Sequence, residues 1–180
     1  CTRSMHDPRE AWRFLENSDP IARADEVQAA LARLAQELCE RFSNAYPLIL
    51  VVMGGAVVFA GELLPRLRFP LDFEYIHASR YGAATEGAGI EWRVAPPEEV
   101  RGRTVLVLDD ILDCGHTMAA IRERLLALGA ASFACAVLVE KTLARPKPIH
   151  ADFVGLRIPD RFVFGCGMDA RGFWRNLPEI

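Results

Sequence analysis

Thr104–Ile121 reads TVLVLDDILDCGHTMAAI, and the fold turns on how its two halves join. Val105–Leu108 is an unbroken aliphatic run, the pattern of a parallel strand covered on both faces. It leads straight into Asp109, Asp110 and Asp113. Carboxylates gathered at one strand end are costly unless a metal, a hydroxyl-rich ligand or a cationic group answers them. Gly115 then allows the backbone to approach a ligand closely, and helical spacing follows. With the N–H groups of Asp113, Cys114, Gly115, His116 and Thr117 converging, the Thr117 hydroxyl beside them and a helix N-terminus behind, the loop is a cradle for one phosphate. It lacks the lysine of a P-loop, which disfavours a nucleoside triphosphate site of that type. A phosphate at one end and vicinal hydroxyls at the other describe a phosphorylated sugar.

The same grammar recurs outward from this stretch. Residues 47–55, PLILVVMGG, are a short apolar strand closed by two glycines, and 56–64 resume helical spacing until Pro65 weakens it. Upstream, Val27, Leu31, Leu34, Leu38 and Phe42 fall on one helical face, with Asp19–Pro20 as a start signal. Downstream, 71–79 alternate as a strand, 81–89 (YGAATEGAG) form a small-residue loop, and 90–95 return as a partner strand. Residues 133–140 are another buried strand, with 151–156 and 161–165 (RFVFG) as shorter ones. Buried strands alternating with helices predict an α/β domain, with a mainly parallel central sheet flanked by helices and ligands at the carboxyl ends of the strands.

The bulk numbers fit one domain. The chain has 180 residues, 51% hydrophobic and 25% charged, as in a soluble globule. A net charge of -3 offers no global attraction for nucleic acid or an anionic membrane, and no apolar run approaches a membrane span. The opening residues lack a secretory signal's apolar core. Five scattered cysteines without a CxxC pair fit a reducing cytoplasm better than a disulfide scaffold or a structural zinc.

VLVLDDILDCGHT resembles the signature of type I phosphoribosyltransferases. Residues 51–64, HASRYG at 77–82, 151–169 and FWRNLPEI at 173–180 narrow the likeness to the hypoxanthine-guanine phosphoribosyltransferase family. The resemblance implies that family's fold: a single domain over 1–180, with a core at about 45–155 and a small hood from about 1–20 and 156–180. It implies phosphoribosyl pyrophosphate and 6-oxopurine bases as substrates, Mg2+ as cofactor, and a homodimer or homotetramer.

Residue roles follow from the resemblance as well. Asp109 and Asp110 hold the ribose hydroxyls and, with Asp169, the metal; the 113–117 loop binds the 5-phosphate. Asp113 is the general base for the purine N7 proton, Lys141 bonds the 6-oxo group, Phe162 stacks on the ring and the Val163 backbone reads the base edge. Arg175 and the Met53–Gly54 turn contact pyrophosphate, with a non-proline cis peptide expected before Met53. The chain departs from the family pattern in three places: Arg80 and Tyr81 replace the Ser-Tyr pair of the closing loop, Met53 replaces a basic residue, and Cys114 replaces a small hydroxyl residue. The competing reading is a non-catalytic regulator that binds the sugar pyrophosphate. The absence of a basic arm and the presence of Asp113, Lys141 and Phe162 weigh against it.

Overall fold

In the computed structural model, which describes residues 7–80 and 90–180, six strands form one sheet. In chain order the elements are α1 (Pro8–Glu16), α2 (Ala24–Phe42), β1 (Leu48–Val52), α3 (Ala56–Leu63), β2 (Asp72–Arg80), β3 (Ile90–Val94), β4 (Thr104–Leu112), α4 (His116–Ala127), β5 (Ser132–Thr142) and β6 (Phe153–Pro159). The strand order is β3-β2-β1-β4-β5-β6; β3 alone runs antiparallel, and the other neighbours pair in parallel.

The apolar runs are continuous because successive side chains enter two different cores. Ile49, Val51, Leu106, Leu108, Ala136 and Leu138 face one side, against α2 and α3. Leu48, Leu50, Val52, Val105, Val107, Cys135 and Val137 face the other, against Met118, Ile121 and Leu125 of α4. Arg33 of α2 also caps the sheet edge, donating from Nη2 to Val154 O at 2.9 Å and to Gly155 O at 2.5 Å.

The structure departs from sequence expectation in three places. Helix α1 forms where no element was expected: Asp7 accepts from Arg9 N at 2.9 Å and Pro8 takes the first position, a capped start to a short helix that buries no residue fully. The long helix starts at Ala24, after Asp19–Pro20, with Glu26 reaching back to accept from Arg23 N at 2.8 Å. Residues 161–165 are not a strand. The sheet ends at β6, and Gly165 makes only an isolated bridge to Met168, because positive φ at Gly165, Cys166 and Gly167 turns the chain away.

Segments from the two ends of the described chain pack together. Trp174 Nε1 donates to Ala11 O at 2.7 Å, its ring meets Trp12 edge-on at 5.1 Å, and Arg171 pairs with Glu10 at 3.0 Å. Ile21 N and Ala22 N both donate to Ile180 O, and Ile180 N donates back to Ala22 O.

Candidate active site

The carboxyl ends of β1 and β4 part to leave a cleft of about 260 Å³, floored by Asp109 and Asp110 and walled by residues 113–115, Thr117, Met53, Gly55 and Arg175. Both glycine-bearing turns open into it. Gly115 adopts φ 81° immediately before α4, a left-handed conformation that carries the chain from strand to helix without a Cβ penalty. Gly55 is required for a different reason: a methyl group there would overlap the Asp110 carboxylate. Gly167 in turn lies so close that its Cβ would strike Gly55 O. Three layers, Asp110, Gly55 and Gly167, thus stack without side-chain spacers.

The acid pair is electrostatically loaded. Asp109 Oδ1 accepts from Asp110 N at 2.9 Å, and Asp110 Oδ1 from Ile111 N at 2.8 Å. Both residues keep some exposed surface, yet their carboxyl groups are enclosed. Burial drives Asp109 well above the ordinary carboxylate range, and the adjacent Asp110 charge adds to the rise. Asp110 is also raised by burial; its bonds from Asp109 and the Ile111 N–H, together with the Arg175 charge, hold the rise back. Carboxyls in this state demand a cation or hydroxyl donors. That donor set, hard oxygens with room above them, fits a magnesium ion carried largely by substrate oxygens. Among the described residues, no group of three or more His, Cys, Asp or Glu side chains converges as a self-sufficient metal cage.

At the lip of the cleft, Lys141 near the end of β5 donates to Asp113 Oδ2 at 3.2 Å and lies 3.8 Å from Asp160 Oδ1. The lysine side chain is 10% exposed and that of Asp113 54%. A nearly enclosed ammonium thus faces a solvent-reachable carboxylate. Phe162, just beyond β6, is 70% exposed, while Val163 next to it is buried. The Phe162 ring is thus left open to solvent beside a buried neighbour.

The remaining candidates divide. Met53 and Cys114 line the cleft, whereas Gly54 and His116 are exposed and do not. The cis peptide lies one bond later than expected, between Met53 and Gly54. Arg175 lines the cleft and donates to Gly167 O at 2.6 Å and to Asp169 Oδ1 at 2.5 Å. Asp169 lies outside the cleft lining, its other oxygen accepting from Gly172 N at 2.6 Å. Tyr81 lies outside the described residues, as does the loop 81–89. Sequence reasoning missed Gly55 and Gly167 as close-approach positions; the second glycine of MGG was the available signal, and Gly167 carried none.

Residues 17–171 match the family described as phosphoribosyl transferase domain. The chain is 33% identical over 158 residues to a hypoxanthine-guanine phosphoribosyltransferase of Bacillus subtilis, spanning 87% of each protein. It is 30% identical over 158 residues to a hypoxanthine phosphoribosyltransferase of Salmonella typhimurium, spanning 86% of this chain and 89% of that relative. A solved hypoxanthine-guanine phosphoribosyltransferase of Bacillus anthracis, holding a HEPES molecule in its active site, superposes with a TM-score of 0.84 at 26% identity, covering 90% of this chain and 96% of that one.

Proposed function

Since the chain belongs to the hypoxanthine-guanine phosphoribosyltransferase family, we propose that it transfers the phosphoribosyl group of 5-phosphoribosyl 1-pyrophosphate to hypoxanthine and guanine, giving IMP, GMP and pyrophosphate. The observation that carries this reading is one continuous edge of the sheet. The acid pair and glycine-turned loop of β4–α4 lie beside Arg175, and the Asp113–Lys141 pair stands at the lip.

The residues divide the work. The N–H groups of the 113–117 loop and the Thr117 hydroxyl bind the 5-phosphate, and Asp109 and Asp110 accept from the ribose hydroxyls. Arg175 and the backbone of the Met53–Gly54 turn face the pyrophosphate. Lys141 donates to the 6-oxo oxygen, Phe162 stacks on the purine and the Val163 backbone reads its edge. Asp113 takes the N7 proton as N9 of the purine bonds to the sugar carbon, whose bond to the pyrophosphate oxygen breaks. Asp109 and Asp110, with Asp169 acting from outside the cleft rather than as a third member of one cage, are the residues that would hold magnesium, which when bound neutralises the leaving pyrophosphate. Location in a reducing cytoplasm and assembly as a homodimer or homotetramer complete the proposal.

The test is ultraviolet absorbance after mixing the protein, magnesium, phosphoribosyl pyrophosphate and, in separate cuvettes, hypoxanthine, guanine, xanthine and adenine. Nucleotide formation with the first two bears the reading out. Binding of the sugar pyrophosphate without conversion of any base would replace it with the regulator.

A further inference from the structure

The ladder between β4 and β5 ends at Leu112 paired with Glu140, one residue short of Asp113 and Lys141. Lys141 still pairs with Ile158 of β6, but no β4–β5 rung fixes its spacing from Asp113. What stands there instead is Lys147. Its side chain is 3% exposed, and its Nζ donates to Leu112 O at 3.2 Å and to Lys141 O at 2.5 Å, with Glu140 Oε1 at 3.7 Å. Two of the ammonium's three donors are thus taken by carbonyls, and Glu140 stands by as an ion-pair partner.

The arm that delivers this ammonium is stiff. Pro146 and Pro148 flank Lys147, fixing their own φ and confining the residues before them to extended backbone. The arm also backs the phosphate loop: the Ile149 carbonyl is 3.1 Å from where a Cβ on Gly115 would lie. Glu140 is buried and is anchored independently by His150 Nδ1 at 2.8 Å, so the carboxylate that faces Lys147 is itself held in place.

We propose that Lys147 is a positioning residue that replaces the missing rung of the β4–β5 ladder and so sets the spacing of Asp113 and Lys141 across the base. This rests on the function proposed above. Without the ammonium, two carbonyls at the strand ends lose their donor and the strands splay. The base contacts loosen, while the 115–117 part of the phosphate cradle, held by the start of α4 and still backed by Ile149, keeps its shape. A misplacement of about 1 Å at such contacts costs on the order of 10²-fold in rate.

Lys147→Met removes the clamp, and Lys147→Met/Glu140→Gln removes it without leaving a buried carboxylate short of a partner, which protects folding. In the double variant, kcat/KM for hypoxanthine should fall about 10–100-fold and the preference for hypoxanthine over adenine should narrow, while the Kd for phosphoribosyl pyrophosphate stays within about threefold. A crystal structure of the variant should show Lys141 Nζ withdrawn from Asp113. Unchanged base kinetics with only a lower Tm, a parallel loss of sugar-pyrophosphate binding, or an intact Lys141–Asp113 pair in the crystal would each overturn the clamp. The unmodified protein serves as reference: if it converts no purine, the proposed function fails, whereas the crystal still reports on the clamp.

Discussion

Replacing Asp113 by Asn keeps the side chain's shape and removes its capacity to take a proton. Turnover should fall by roughly 10²–10⁴-fold with sugar-pyrophosphate affinity nearly unchanged, as single-turnover kinetics and direct titration would show. Lys141→Met should erode the preference for 6-oxopurines over adenine, because an ammonium pairs with a carbonyl and not with an amino group; equal exclusion of adenine by the variant would move the discrimination to the backbone at Val163. Asp109→Asn should act in opposite senses on activity and stability. Burial raises the folded carboxyl's proton affinity, so its charge penalty is absent below the ordinary carboxylate range and complete once the pH exceeds the raised value. The variant's advantage in Tm therefore grows as pH rises from acid toward neutrality, as thermal melts across pH would show. Thiol chemistry separates the cysteines as well. Burial pushes Cys135 up to about 12 and Cys166 up to about 11, so neither should alkylate in the folded protein at neutral pH, while Cys114 in the cleft should label and be protected by sugar pyrophosphate, as mass spectrometry would show.

At the scale of elements, the β4–α4 unit was legible because two periodicities meet at a glycine, and each has a physical meaning: a strand buried on two faces, then a helix that buries Met118, Ile121 and Leu125. The β1–α3 turn was legible as a turn but not as a contact surface, since no sequence pattern announces that Asp110 packs against Gly55. Gly55→Ala should accordingly weaken sugar-pyrophosphate binding by at least about tenfold, because the carboxylate must shift to admit the methyl; calorimetry would show it. Residues 161–165 misled for the converse reason. RFVFG alternates like a strand, but the alternation marks one solvent-facing ring beside one buried valine, without a ladder. Lys147 was invisible, because its role depends on where the β4–β5 ladder stops. At the opposite end of the sheet, Arg103 donates to Asp72 Oδ2 at 2.7 Å and Tyr46 to Asp72 Oδ1 at 3.0 Å, tying together the starts of β1, β2 and β4. These bonds, Arg103 foremost, hold the Asp72 carboxyl below its ordinary range. The stability it contributes is present above that range and lost as pH falls through the lowered folded value, so Asp72→Asn should blunt the last part of the acid-unfolding curve.

For the whole molecule, the layered α/β architecture followed from the alternation of buried strands and helices, and hydrophobic spacing placed the long helix, α2. The packing of α1 against the C-terminal segment did not follow. It rests on Trp12 against Trp174, the Trp174 bond to Ala11 O and the Arg171–Glu10 pair, contacts between residues far apart in sequence; α1 has helical spacing of its own, but nothing in it announces the partner. The strand order has a further consequence, for synthesis. β1 sits between β2 and β4, and Arg33 of α2 finds its carbonyl acceptors only in β6. As the chain leaves the ribosome, the apolar run of β1 therefore waits for residues 104–112, and the inner face of α2 for residues 153–159. Through that interval both present bare hydrophobic surface, so nascent chains arrested between these two points should be the ones that draw chaperones or aggregate.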